Sequence, residues 1–155
     1  MIRIRETLSP DHILLNLTAH SRDEAVQQLA ESLRSDTRLT NWQEFSQALR
    51  RRDAAGKLKL EYGLTIPHVR TAAVTKMVMA FGRLTVPVQE TDGPIRFVVL
   101  VGIPSTMDAE YLRLIGTLMR VFRSDKLRDK LRYAEKPAEI IDVLEKVETG
   151  AESVR

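Results

Sequence analysis

The chain has 155 residues, with 24 Lys and Arg against 21 Asp and Glu, and no cysteine. That length suffices for one domain with its own core, and the missing thiols exclude a disulfide framework, thiolate metal ligands and thiol catalysis. The formal charge of +3 is too small to mark a polyanion-binding chain by itself, and no apolar run reaches bilayer length.

The opening Met1-Ile2-Arg3-Ile4-Arg5-Glu6 has neither the apolar region nor the cleavage site of a signal peptide, so a cytosolic location is expected. Ile13-Leu14-Leu15-Asn16-Leu17, introduced by Ser9-Pro10-Asp11, reads as a short edge strand. His12 and His20 flank it without a carboxylate or histidine at metal-ligand spacing on a common face, which makes both surface residues. Ser21-Arg22-Asp23-Glu24 is a capping box opening a helix to about Arg34, with Val26, Leu29, Ala30 and Leu33 as its apolar stripe. Thr40-Asn41-Trp42-Gln43-Glu44 starts a second helix, in which Trp42, Phe45, Ala48 and Leu49 fall at helical spacing and which ends near Ala55-Gly56. Arg50, Arg51, Arg52, Lys57 and Lys59 crowd its far end. No aromatic residues interleave with them, so Arg50 and Arg51 read as a solvated helix end suited to the dipole, and no nucleic-acid partner is expected.

Leu64-Thr65-Ile66-Pro67-His68-Val69-Arg70-Thr71 is the organising stretch. Gly63 admits a buried strand over Leu64 to Ile66, and Pro67 makes its exit stiff. His68 then stands where the strand leaves the core. A neutral imidazole there can act as a nucleophile, and Arg70 brings a planar set of donors suited to phosphate oxygens. A strand-end histidine that only hydrogen-bonds a carbonyl is the plainer alternative.

Lys76 to Leu84 is a central strand, stopped by Val86-Pro87; Asp92-Gly93-Pro94 is a turn. Ile95 to Ile103, the most β-prone run in the chain, belongs at the centre of the sheet and ends at Pro104. Three helices follow. Asp108 to Phe122 sets Tyr111, Leu112, Leu114, Ile115, Leu118, Met119 and Phe122 on its inner face; Ser124 to Tyr133 is capped by Ser124; Pro137 to Glu148 begins with proline in the first turn. Residues 149–155 read as a frayed, flexible tail. The fold class is therefore α/β, a single compact domain of residues 1–148 with a mixed β-sheet sandwiched by helices.

Arg52, Gly56, Gly63 to His68, Asp92-Gly93, the apolar strand 97–103 ending in Pro104, and Glu110-Tyr111-Leu112-Arg113-Leu114 occur in an order that resembles the enzyme IIA domains of the fructose/mannitol type. These belong to the phosphoenolpyruvate-dependent sugar phosphotransferase system and include nitrogen-regulatory relatives. The likeness spans residues 5–147, and its most specific part is Ile66-Pro67-His68 with Asp92-Gly93 downstream. It implies the mannitol-type IIA fold and a histidine, His68, that takes a phosphoryl group from a histidine phosphocarrier protein. In transport members the group then passes to a cysteine of the permease's B domain. Arg52, Arg70 and Tyr111 are the implied phosphate-stabilising residues. The resemblance calls for no cofactor and no metal, and for no direct membrane insertion; the sugar and the oligomeric state stay open.

Three departures accompany the likeness. Tyr111 stands where family members usually carry a second histidine, and a phenol can donate one hydrogen bond but no positive charge. Lys57, Leu58 and Lys59 replace small residues between arginine and histidine. Val69 replaces glycine or alanine after the histidine, and its branched side chain is expected to narrow the entrance. Two functions follow: a phosphocarrier component of sugar uptake or its regulation, or a IIA-like regulatory module that binds a target protein with weak or no transfer. A basic nucleic-acid-binding domain built on residues 50–59 ranks behind both.

Overall fold

The computed structural model describes residues 3–55 and 61–150. Chain order is α1 (Ile4–Thr7), β1 (Ile13–Leu17), α2 (Arg22–Glu31), α3 (Trp42–Ala55), β2 (Leu64–Thr65), β3 (His68–Arg70), β4 (Val78–Glu90), β5 (Gly93–Ile103), α4 (Asp108–Arg123), α5 (Asp125–Tyr133) and α6 (Pro137–Glu148). The strands form one mixed sheet. β1 runs parallel to β4 at one edge, β4 and β5 are an antiparallel hairpin at the centre, and β2 and β3 both run parallel to β5 along the other edge.

Side chains alternate across a strand, so a central strand with two apolar faces must be covered on both. On β4 and β5, Met79, Phe81, Phe97, Val99 and Val101 join the core under α1, α4, α5 and α6. Val78, Ala80, Val98 and Leu100 join the core under α2 and α3. The helix-covered mixed sheet expected from the sequence is therefore the one observed.

Caps fix where the helices begin. Ser21 accepts from the Glu24 N–H at 3.1 Å, Asn41 from the Glu44 N–H at 3.0 Å, and Ser124 from the Leu127 N–H at 3.2 Å. Glu24 completes its box one residue early, accepting from the His20 N–H at 3.2 Å. α2 stops at Glu31 rather than near Arg34, because the amides of Ser32, Leu33 and Arg34 turn to carbonyls three residues back.

Several expectations are corrected. Val86-Pro87 does not stop β4: the strand continues to Glu90, and Pro87 lies inside a register shift between Arg83 and Val88, where a residue without an N–H breaks no ladder bond. His12 is not a surface residue but 7% exposed, in a turn at Pro10–His12. Its Nε2 donates to Asp36 at 2.8 Å, and its buried Nδ1 has no partner among the described residues. His20 is exposed, as expected. Leu112 is not on the inner face of α4; it is 68% exposed. The helix α1, unforeseen, is held by Glu148, which accepts from the Ile4 N–H at 3.0 Å. Residues 149 and 150 are not frayed: the Thr149 and Gly150 amides donate to Glu145 and Val147 carbonyls and close α6. Gly56, the Lys57-Leu58-Lys59 segment and the remainder of the tail lie outside the described residues. No helix among the described residues is long and apolar enough to cross a membrane.

Candidate functional site

His68 opens β3 instead of ending the strand before it. Gly63, at φ +72°, takes a left-handed conformation open to glycine without strain, and its carbonyl accepts from the Arg96 and Phe97 amides of β5. The short β2 follows, then Ile66-Pro67 interrupts it, and the Pro67 carbonyl accepts from the Val101 N–H at 3.0 Å. Proline cannot donate to the ladder, so this edge is split there. Pairing resumes with His68 opposite Val101, Val69 opposite Gly102 and Arg70 opposite Ile103.

That register decides which way each side chain faces. Val69 enters the core under α2 and α3. The expectation that it narrows the entrance is thus wrong, because strand alternation turns it away from the side His68 and Arg70 share. On that side stands the first part of α4, reached from β5 through Pro104 and Met107. The Tyr111 ring stacks on the His68 ring with centroids 5.4 Å apart and planes at 29°. Arg70 pairs with Asp108, the first residue of α4. Gly102 lets α3 approach from the opposite face: a Cβ there would lie 2.9 Å from both the Phe45 ring and Val78.

The imidazole is half-buried and oriented. Its Nδ1 lies 2.9 Å from the Ile66 carbonyl oxygen, which can only accept, so the proton sits on Nδ1 and the lone pair on Nε2. Burial raises the Tyr111 phenol above its ordinary value, and the charges of Arg52 and Arg70 oppose that rise without overcoming it. Tyr111 is thus a neutral donor. Its phenol also feels guanidinium charge from two elements, the last turn of α3 and β3.

Of the residues singled out from the sequence, His68, Arg70 and Tyr111 come together on one side of the sheet edge, and Arg52 approaches from the helix layer beyond it. Arg50, Arg51 and Arg52 are all exposed; Arg50 donates to Gln27 at 3.0 Å, whereas Arg52 is set apart by its charge at Tyr111. Two features were missed. Asp108 gave only the ordinary signal of an acidic first turn. Arg22, at the start of α2, pairs with Asp53 in the last turn of α3, and a cation and an anion each at the wrong end of a helix dipole were the available sign. Among the described residues no group of three His, Cys, Asp or Glu is placed to hold a metal ion.

The family model described as "Phosphoenolpyruvate-dependent sugar phosphotransferase system, EIIA 2" matches residues 6–147. The 2-O-alpha-mannosyl-D-glycerate-specific EIIABC component of Escherichia coli K12 is 29% identical over 94% of this chain, which spans only 23% of that protein's length. The crystal structure of nitrogen regulatory protein IIA-Ntr from Neisseria meningitidis superposes with a TM-score of 0.80 at 25% identity, covering 90% of this chain and 97% of that one. The Escherichia coli mannitol enzyme IIA, solved in complex with its phosphorylated enzyme IIB, shares the fold with a TM-score of 0.74 at 20% identity over 89% of this chain and 96% of that one.

Proposed function

Because this chain belongs to the EIIA 2 family of the phosphoenolpyruvate-dependent sugar phosphotransferase system, we propose that it accepts a phosphoryl group on Nε2 of His68 and passes it on. The observation that carries this reading is the Nδ1 bond to the Ile66 carbonyl at 2.9 Å, which leaves Nε2 as the nucleophilic atom. A histidine phosphocarrier protein is the donor. In the step, the Nε2 lone pair forms the new N–P bond as the donor's N–P bond breaks and its electron pair returns to the donor ring. The Nδ1 proton stays in place, and its carbonyl partner stabilises the positive charge that develops on the ring.

A phosphoryl group in flight is loosely bonded at both ends, so the protein's task is to position it and to stabilise its oxygens. Arg70 does this after leaving Asp108, an exposed partner that holds it by roughly 0–1 kcal/mol. Arg52 supplies a second guanidinium and Tyr111 a neutral hydrogen bond. The onward acceptor is a B domain, the kind of partner on which the mannitol IIA relative was solved.

Tyr111 in place of a second histidine favours one further reading, in which His68 is phosphorylated weakly or not at all and the output is contact with a regulatory target; the Neisseria meningitidis structure, covered over almost its whole length, is named a nitrogen regulatory protein. Labelled phosphoenolpyruvate with the general phosphotransferase proteins tests both. Acid-labile, base-stable label that is lost in His68→Ala is expected. Label chased by a B domain supports relay; label retained in its presence, or no label with a target protein captured by the chain, supports the regulatory output; an unlabelled wild type that captures no target overturns both.

A further inference from the structure

We propose that Arg22 is a positioning residue for transfer at His68: its buried pair with Asp53 fixes the last turn of α3 against β2 and so aims Arg52 at the space beside Tyr111. This rests on the phosphoryl-acceptor reading above.

Arg22 is 5% exposed although it begins a helix. Its Nη1 and Nη2 donate to the two carboxylate oxygens of Asp53 at 2.9 and 3.4 Å, and its Nε donates to the Thr65 hydroxyl at 2.9 Å. Thr65 is fully buried on β2, three residues before His68. One planar guanidinium therefore fixes two things at once: the end of α3, whose Asp53 follows Arg52 directly, and the strand that leads into Pro67-His68. Its fork geometry holds them in a single relative orientation.

Nothing local accounts for the placement. A cation in the first turn of α2 and an anion in the last turn of α3 each oppose the helix dipole, and both are largely withdrawn from water. Each is compensated by the other, and Arg22 also by the Thr65 hydroxyl. The electrostatic result appears on the far side of the sheet edge, where the Arg52 charge acts on the Tyr111 phenol. Arg22 bonds Thr65 and Asp53 and not His68, and the route proposed for its effect on transfer is from Asp53 to the adjacent Arg52.

The test is a double-mutant cycle on the rate of transfer from phosphorylated histidine phosphocarrier protein to His68. Arg22→Gln and Asp53→Asn are each expected to slow transfer at saturating donor by about 10-fold to about 100-fold, the scale set by misplacing a charge-stabilising group, with the donor KM little changed. In an Arg52→Ala background the same substitutions should slow it no further. If Arg22→Gln does not fold, Asp53→Asn, of nearly the same shape, carries the cycle. Wild-type rates in the single variants, or fold-changes that multiply with that of Arg52→Ala, overturn the positioning role. A wild type that takes no phosphoryl group overturns the acceptor reading instead.

Discussion

Tyr111 sets the charge balance beside His68. Burial raises its phenol pKa against two nearby guanidiniums, so in the proposed transfer it would offer one uncharged hydrogen bond where an imidazolium would offer a charged one. That difference is about 1 kcal/mol, or about fivefold in rate. Tyr111→His is therefore expected to speed onward transfer by about that factor in a stopped reaction with a B domain, and an unchanged rate would remove Tyr111 from the phosphate shell. At this scale the sequence was informative where the chemistry is local. Pro67 and the apolar run before it singled out His68 and Arg70 as candidates, and the resemblance supplied their phosphoryl role. Asp108 was not singled out, because an acidic residue in a first helical turn is too common to announce a particular arginine.

Among the elements, β3 is a short edge strand of three residues, held to β5 and backed by α3. At Gly102 that backing is tight. A Cβ there would lie 2.9 Å from the Phe45 ring and from Val78, and Gly102 pairs with Val69, which stands between His68 and Arg70. Gly102→Ala should cost about 1–3 kcal/mol of stability, the usual penalty of overpacking, read as a lower urea midpoint, and should slow transfer beyond what the lost folded fraction explains. Normal kinetics in the folded fraction would mean that the site tolerates movement of β3. The helices were legible because caps such as Ser21, Asn41 and Ser124 and the 3.6-residue periodicity are short-range signals. The split between β2 and β3 and the run of β4 through Pro87 were not. Both depend on which amides face the neighbouring strand, a property of the pairing and not of the residues. Leu112 failed for a related reason: an apolar residue near the edge of a helical stripe does not reveal how far the partner surface extends.

For the molecule as a whole, the N-terminal segment is tied in by a knot at Asp36. Arg38 donates to the Glu6, Thr7 and Met77 carbonyls and closes on the Asp36 carboxylate, which also accepts from His12. The Arg38 side chain, its backbone N–H and His12 together hold the Asp36 carboxyl well below the ordinary carboxylate range, against the opposing effect of burial. A depressed carboxylate contributes stability that is present above its unfolded pKa near 3.9 and is lost as pH falls toward its folded value. Urea midpoints are expected to drop below about pH 4. Asp36→Asn, removing charged hydrogen bonds worth about 2 kcal/mol, should lower the midpoint at pH 7 and flatten its acid dependence. An unchanged acid limb in Asp36→Asn would show that other carboxylates govern it. The layered architecture was readable from two strands apolar on both faces. His12, Asp36 and Arg38 were not, since nothing in their spacing shows that 24 residues of chain fold back to bring the first two within 2.8 Å.

The central claim is that one nitrogen of one histidine receives the phosphoryl group, and heteronuclear NMR of the phosphorylated chain with 15N-labelled imidazoles reads that nitrogen directly. Phosphorus coupled to Nε2 of His68, with the Nδ1 proton still bonded to the Ile66 carbonyl, is the expected result. Coupling to Nδ1, to His12 or His20, or to no imidazole at all would contradict it.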